Sequence, residues 1–450
     1  MRRSKIAWAL AMVLFVSACG DDNDGVPSET SSPQSALDDE IDTAESEIGN
    51  PASQFCEQQG GTVEIVDEQG GQVGYCNLPD GSRVDEWDLY QSQGNPTETA
   101  FIRALEPDFD GQVGWFPSLA IGPDGAVVIA HHDRGNGSLH ITTCSDLLCA
   151  SPITSIVEGR GEVGLYTSVA IPDDGLPVIS SQNRNRGNLM ITKCRTTDCS
   201  TSDTVEIESD LDEGWDSSLA IGVDGLPIIS HHENDDGDLL VTHCNNPDCS
   251  DHETTVVDDE GEVGWFSSLT IGRNGNPVIA YRDETNKSLK IAMCSDTFCS
   301  SASVITADDD GDVGNDATIA IDSEGRVVVS HQDANGRVLR FTRCNDADCS
   351  TATSTKISDD SFGFGSAIGL TKEGRLLVFH FGGDNDYISV TECRNSACSD
   401  FEQREIDDRS SAGWLSVAAT PDGRPAVAAH STRFQNVRLI ICNNASCTES

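Results

Sequence analysis

Cysteine spacing constrains the chemistry of this chain more than any other feature. Fourteen of its seventeen cysteines fall in pairs with four residues between them: Cys144/Cys149, Cys194/Cys199, Cys244/Cys249, Cys294/Cys299, Cys344/Cys349, Cys393/Cys398 and Cys442/Cys447. Thiols so spaced can close a short disulfide loop or offer two thiolates to zinc. A structural zinc takes four ligands, normally as two pairs brought together, and here each pair belongs to a separate stretch of chain. A bridge within each pair is therefore expected.

Rings and imidazoles keep the same beat. One aligned column holds Trp115, Leu165, Trp215, Trp265, Asn315, Phe364 and Trp414. A second holds His131, Ser181, His231, Tyr281, His331, His380 and Ala429, and the next His132, Gln182, His232, Arg282, Gln332, Phe381 and His430. Gathered at one opening, these groups would stack on sugars or grip a peptide. Trp115, Trp215, Trp265, Trp414, His131, His231, Tyr281, Arg282, His331 and His380 are thus the candidate ligand-binding residues, with Tyr281, Arg282 and Asn315 breaking the symmetry. The same columns also read as packing, Trp padding a seam and His bonding to neighbouring loops, because packing repeats where a ligand does not. Acidic runs at Asp258-Asp259-Glu260, at Asp308-Asp309-Asp310 with Asp312, and at Asp210 with Asp212-Glu213 would suit Ca²⁺, although none has EF-hand spacing. With 75 acids in the chain, no catalytic carboxylate pair can be singled out.

The elements that position these residues follow from the period. The first cysteines of successive pairs lie 50, 50, 50, 50, 49 and 49 residues apart, the mark of stacked supersecondary units. In the third unit Ser218-Leu219-Ala220-Ile221 leads to Val223-Asp224-Gly225, then Pro227-Ile228-Ile229-Ser230, then Leu239-Leu240-Val241-Thr242, with Thr254-Thr255-Val256-Val257 after the cysteines. Each unit carries a Gly after a mostly Asp or Asn position, which supplies the positive φ of a tight turn. Four short antiparallel strands per period describe a propeller blade, and each disulfide would close the hairpin between the third strand and the fourth. The fold expected for residues 99–450 is an all-β, seven-bladed β-propeller of 28 strands. The last unit ends without a fourth strand, and Thr99 to Ala104 supply a spare one that would complete it and remove an open edge. An open β-solenoid would leave that strand unexplained. Pro177-Val178-Ile179-Ser180 and Pro277-Val278-Ile279-Ala280, each followed by a cysteine hairpin, resemble the units of bacterial extracellular propellers. The Ser-x-Asp-x-Gly-x-x-Trp box of sialidases is absent.

The N-terminal part reads differently. Arg2, Arg3 and Lys5 precede an apolar run from Ile6 to Val16 and then Val16-Ser17-Ala18-Cys19. This resembles a bacterial lipoprotein signal, which implies that residues 1–18 are removed and Cys19 is lipidated, placing the protein outside the cytoplasm on the outer membrane or cell surface. Such a compartment favours disulfides. Residues 19–49 contain ten acids and no Lys or Arg, the composition of a disordered tether. Between residues 50 and 94 come Asn50-Pro51-Ala52-Ser53, Cys56, Gly60-Gly61, Gly74-Tyr75-Cys76, Pro79-Asp80-Gly81 and Glu86-Trp87. These resemble a short lipoprotein domain of unknown function often labelled a hemolysin. That family usually carries two further cysteines, and Val84 stands at one of their places, so the resemblance implies a Cys56–Cys76 bridge.

Composition removes whole classes of function. Lys and Arg total 28 against 75 Asp and Glu, a formal charge of −47, which leaves no basic face for nucleic acid. No later apolar run is long enough to span a bilayer as a helix. The sequence points to a monomeric, lipid-anchored binding or scaffold protein that presents its propeller to glycan or protein. It favours that reading over an enzyme, with a carbohydrate-active hydrolase or lyase as the alternative.

Overall fold

The computed structural model describes residues 53, 56–57, 60–68, 71–79, 83–85, 103–108 and most of 112–447; within the last stretch 148, 150, 159–160, 208–211, 359–364, 383–386, 408–412 and 433–434 are not described. Cys19, the signal and the tether lie outside the described residues, as does Phe364.

Near the N-terminus, β1 (Thr62–Glu68), β2 (Gly71–Asn77) and β3 (Arg83–Asp85) form an antiparallel sheet in the order β1-β2-β3. Cys56 is bonded to Cys76, which sits in β2 opposite Val63 and Val84. Gly61 lies against this bridge, and a Cβ there would come within 2.5 Å of the Cys76 sulfur. Any larger residue would displace the disulfide.

Beyond it stand seven four-stranded antiparallel sheets. The first is β5 (Trp115–Ile121), β6 (Val127–Asp133), β7 (Ser138–Cys144) and β8 (Ile153–Glu158). The next five repeat that order, their first strands being β9 (Val163–Ala170), β13 (Trp215–Ile221), β17 (Val263–Ile271), β21 (Val313–Ile321) and β25 (Ala367–Leu370). The seventh consists of β29 (Leu415–Ala419), β30 (Pro425–Ser431), β31 (Asn436–Ile441) and then β4 (Arg103–Asp108), taken from before the first sheet. Val437 pairs with Asp108, Leu439 with Leu105 and Ile441 with Arg103.

Strand composition explains the layering. Second strands such as β6 are buried at every position, whereas first strands alternate. A sheet whose two middle strands are buried on both faces must be covered on both sides, so apolar residues run unbroken there. Seven apolar clusters do the covering, each shared by two successive sheets. One of them joins Ala426, Ala428, Val437 and Leu439 of the seventh sheet to Leu119, Val127 and Ile129 of the first.

A polar staple repeats along the first strands. Ser118 Oγ accepts from the Val169 amide, Ser168 from Leu219, Ser218 from Leu269 and Ser268 from Ile319. The amide of Leu119 donates in the same way to Ser416 of the seventh sheet, at 3.1 Å. The Asp-Gly turns follow their chemistry: Gly125 and Gly225 take φ of 86° and 79°, and the Asp124 and Asp224 carboxylates accept the amides two residues on.

All seven repeat pairs are bridged: Cys144–Cys149, Cys194–Cys199, Cys244–Cys249, Cys294–Cys299, Cys344–Cys349, Cys393–Cys398 and Cys442–Cys447. Each bridge closes the connection between the third strand and the fourth, and the structure adds where within it the bridge lies. The first cysteine ends the third strand or directly follows it. The second belongs to no strand. Cys149, Cys199, Cys249, Cys299, Cys349, Cys398 and Cys447 all lie in the turn before the fourth strand's position, with left-handed φ of 46°, 52°, 57°, 52°, 49°, 51° and 51°. Each donates its amide to the carbonyl three residues back, at 3.0–3.3 Å. The physical reason is reach. Four intervening residues suffice for a tight turn that doubles back onto the strand end, and the fourth strand starts only after it. A left-handed residue other than Gly carries a steric cost, which the covalent tie and burial of these cysteines offset.

On the loop-entropy account a closure this short contributes about 2 kcal/mol. Replacing both Cys244 and Cys249 by Ser is expected to lower stability by about that amount in chemical denaturation, leaving far-UV circular dichroism unchanged. A cost above about 5 kcal/mol would mean that the bridge holds more than its own turn.

Candidate functional site: an aromatic arc and two carboxyls

Each first strand begins with a bulge. In the first sheet Trp115 faces His132 and Ser118 faces Ala130, so three steps on one strand match two on the other. The same shift occurs after Trp215, Trp265 and Asn315. The residue after the Trp column absorbs it with positive φ: Phe116 at 51°, Tyr166 at 52°, Asp216 at 48°, Phe266 at 53° and Asp316 at 48°. A left-handed residue breaks the usual side-to-side alternation, so two successive side chains can turn toward the same side of the sheet.

Ring contacts trace the result. Trp265 lies 6.0 Å from Trp215, Trp215 5.6 Å from Tyr166, Tyr166 4.6 Å from Phe116, and Phe116 4.3 Å from Trp414. Trp115 joins at 5.2 Å from Trp414. Five successive sheets, counting the seventh beside the first, thus contribute one arc of half-buried rings. Behind it the indoles lean on the preceding sheet: Trp265 stacks on His232 at 4.2 Å and Trp115 on His430 at 4.7 Å. Seam packing and an accessible ring edge coexist in one column. In the fifth sheet the column reads Asn315 and Asp316, and no ring continues the arc there among the described residues.

Asp216 and Asp316 occupy the bulge position in the third and fifth sheets. Asp216 accepts the Phe266 amide at 2.8 Å. Asp316 is bonded to the Gly365 backbone, while its Oδ2 is buried with no hydrogen-bond partner. Crowding by protein strips water from both groups and pushes their pKa up, to about 6 for Asp216 and about 7 for Asp316, the latter also feeling the Asp216 charge. Carboxyls held near neutrality are suited to donate or take a proton.

The other candidate residues sit elsewhere. His131, His231, His331 and His380 are fully buried, and each presents Nε2 to a threonine of the third strand: Thr142, Thr242, Thr342 and Thr391, at 2.8–3.2 Å. Thr142 and Thr242 continue to Thr154 and Thr254 on the fourth strand. These imidazoles cross-link strands inside the sheets. Tyr281, also fully buried, donates to Asp258 at 2.5 Å. Arg282 reaches the next sheet, donating to the Val313 carbonyl at 2.6 Å and to Asp312 at 2.6 Å. His132 and His232 meet the carbonyls of Val163 and Val263 in the same way. That column is a seam clamp.

Two of the acidic runs considered for Ca²⁺ are drawn into ion pairs, Asp258 with Lys290 at 2.6 Å, Asp308 with Arg340 at 2.8 Å, and Asp312 with Arg282 and Lys287; in the third, Asp212 accepts from Asn234, and Asp210 lies outside the described residues. Among the described residues no three acidic, His or Cys side chains converge as a metal shell.

Asp216 and Asp316 escaped the sequence reading, as did Phe116 and Tyr166. The signal was the column beside the tryptophans, Phe116, Tyr166, Asp216, Phe266 and Asp316, where acids interrupt rings.

Comparison with known proteins places the N-terminal part. Residues 47–93 match the domain of unknown function DUF333. An 86-residue stretch is 33% identical to the uncharacterized protein YoaF of Escherichia coli, covering 19% of this chain and 87% of YoaF. The chain belongs to the YoaF family. The DUF333 segment is its small disulfide-bonded sheet. Over 120 residues the chain is also 29% identical to an uncharacterized protein of Archaeoglobus fulgidus, covering 24% of this chain and 52% of that one; it spans about half of that relative's length.

The sheet array is similar to three solved structures. The polysaccharide lyase Uly1 aligns at 10% identity and TM-score 0.49 over 73% of this chain and 89% of its own. An oligogalacturonate lyase in complex with manganese aligns at 10% and 0.49 over 86% and 97%. An intramolecular trans-sialidase from Ruminococcus gnavus aligns at 9% and 0.44 over 79% and 97%. The expectation that favoured a protein that is not an enzyme is corrected by this finding: the structures it is similar to include a polysaccharide lyase, an oligogalacturonate lyase and a trans-sialidase.

Proposed function

We propose that the seven sheets form a closed seven-bladed β-propeller, anchored outside the cytoplasm through Cys19, whose aromatic arc holds a glycan for acid–base chemistry by Asp216 and Asp316. Support for closure comes from β4 in the seventh sheet and from the staple and apolar cluster between seventh and first. The observation that carries the function is the placing of two desolvated carboxyls at the same register position as an arc of stacked rings.

Sugar rings present C–H faces that stack on aromatic side chains. With pKa values of about 6 and 7, there is a window between them in which Asp216 is mainly ionised and Asp316 mainly protonated. One carboxyl then serves as base and the other as acid, the division of labour that hydrolysis or β-elimination of a glycosidic bond requires.

Release of reducing ends or unsaturated products from a polysaccharide panel, with a rate optimum between pH 6 and 7, is the expected result. Asp216→Asn and Asp316→Asn should each lower kcat by roughly 100-fold or more, whereas Trp215→Ala should mainly raise KM. Products formed at unchanged rate by both Asn variants would overturn the assignment. Glycan binding without products would favour the second reading, a recognition module, for which the recurrence of rings in five sheets speaks.

A further inference from the structure

We propose that the turns between first and second strands hold a further site, a cavity that receives an arginine side chain presented by a basic peptide segment of a partner protein. It lies at the other end of the first strands from the tryptophan column and is independent of the glycan reading. In four successive seams, the residue two before the turn glycine leans onto the glycine of the next sheet. Val223 covers Gly275, Arg273 covers Gly325, Ser323 covers Gly374 and Lys372 covers Gly423, each so closely that a Cβ on the glycine would come within 3.0 Å of it. The other three seams lack this cover among the described residues. A Cβ on Gly175 or Gly225 would meet nothing within 4 Å, and one on Gly125 would meet only Leu147 of its own sheet, at 3.9 Å. A cavity of about 450 Å³ opens across two of these seams. Ile121 and Pro123 of the first sheet line it, with Ile171, Pro172 and Asp173 of the second and Pro421 of the seventh.

The covered seams display what fits such a space. Arg273 lays its side chain over Gly325 and donates from Nη2 to the Ser323 carbonyl at 2.6 Å, and Lys372 packs its methylenes on Gly423. In the second sheet the glycine equivalent to Gly325 is Gly175, and the carbonyl equivalent to that of Ser323 belongs to Asp173. The residue equivalent to Arg273 is Pro123, whose short ring leaves Gly175 bare. An arginine from outside would therefore find the glycine and carbonyl that Arg273 uses, with a carboxylate added where Ser323 has a hydroxyl. Its aliphatic stem would lie along Ile121, Ile171 and the prolines, as long cationic side chains do on apolar surface. Its planar fork can meet the Asp173 carbonyl and carboxylate together, which the point charge of lysine cannot. A chain of charge −47 draws basic segments toward it and repels a second copy of itself.

The test is isothermal titration of the full chain, at neutral pH and about 150 mM salt, with end-blocked tri-arginine, tri-citrulline and tri-lysine. Tri-arginine should bind at least tenfold more tightly than tri-citrulline, which has the same length without the charge, and severalfold more tightly than tri-lysine. Pro123→Arg, which would cover Gly175 as Arg273 covers Gly325, should weaken tri-arginine binding at least tenfold. Val256→Arg makes the same charge change at an exposed position of the third sheet's fourth strand and should weaken it less than twofold. Asp173→Asn should weaken it at least threefold. The turn already takes arginine in the fourth sheet, so Pro123→Arg should fold, as melting and circular dichroism will verify; if it does not, Asp173→Asn decides alone. Equal weakening by Pro123→Arg and Val256→Arg, or unchanged affinity in Asp173→Asn, would overturn the site as diffuse attraction to an acidic surface. Equal affinity for tri-arginine and either other peptide would overturn the guanidinium occupant, and no tri-arginine binding at millimolar concentration would overturn the proposal outright.

Discussion

A chain shortened to begin after residue 108 is expected to melt at least 10 °C lower than one beginning at residue 99, and to aggregate. The shorter chain lacks β4, so β31 becomes the edge of the seventh sheet. All six β31 residues from Asn436 to Ile441 are buried. Val437, Leu439 and Ile441 belong to the cluster shared with the first sheet, and their backbone partners at Asp108, Leu105 and Arg103 would be gone. An exposed apolar edge with unpaired amides recruits other chains. The loss also reaches beyond one sheet, because the seventh and first sheets hold each other through Ser416 and Leu119. Differential scanning calorimetry and size-exclusion chromatography of the two truncations check this. Identical melting would show that the seventh sheet stands with three strands and that β4 is dispensable.

The second large effect is on acid stability. Burial lowers the pKa of six histidines: His132, His231 to about 3, His232 to about 4, His331 to about 3, His380 to about 4 and His430 to about 4. A histidine with depressed pKa takes its proton more readily when unfolded, near pH 6.5. Its neutral form therefore supports the fold fully above that pH, and stability falls as pH drops from 6.5 toward the folded values. Asp216 and Asp316 act in the opposite sense, since their raised pKa values make the folded state bind protons first as pH drops through about 7 and 6. Burial raises Glu233 and Asp238 as well, so six against four leaves the unfolded chain ahead by about two protons or more near pH 5. A fall in Tm on the order of 10 °C between pH 7 and pH 5 is expected, and His231→Gln with His331→Gln should flatten the slope. A Tm that rises on acidification would mean that the carboxyls outweigh the imidazoles.

The repeated sheets were legible because seven units solve one problem with the same residues. A cysteine pair every 50 residues and a Gly held at φ near +80° after an acid, as at Asp124-Gly125, announce themselves without structure. Spacing showed that each pair would bridge, but not that the second member, as at Cys249, sits in a left-handed turn short of the fourth strand. The histidine columns were harder. Adjacent positions such as His131 and His132 point to opposite faces of a strand, but in this array both faces are covered, so alternation cannot say which imidazole sees water. The Thr column two places before the cysteines, Thr142, Thr242, Thr342 and Thr391, was the available clue that the first set bonds inward. Tyr281 carried another, for its hydroxyl keeps an acceptor where the unit replaces His with Tyr and adds Lys290 beside Asp258. The two carboxyls were hidden by backbone. Only the bulge, with its left-handed residue, brings Asp216 and Asp316 into line with the rings, and a reading that assumed regular strands had no reason to choose them among so many acids.

The pairing of Arg103 with Ile441 sets the two ends of the repeated region side by side in a single sheet. A short Gly-Ser linker between them would span almost no distance and would close only a small loop. New termini could then be opened in a turn between sheets, for instance at Asp259-Glu260 just before β17. Such a circularly permuted chain would have four consecutive strands in the sheet that now borrows one. Which unit is split between the two ends is then a matter of gene order, and physics would accept any of the seven.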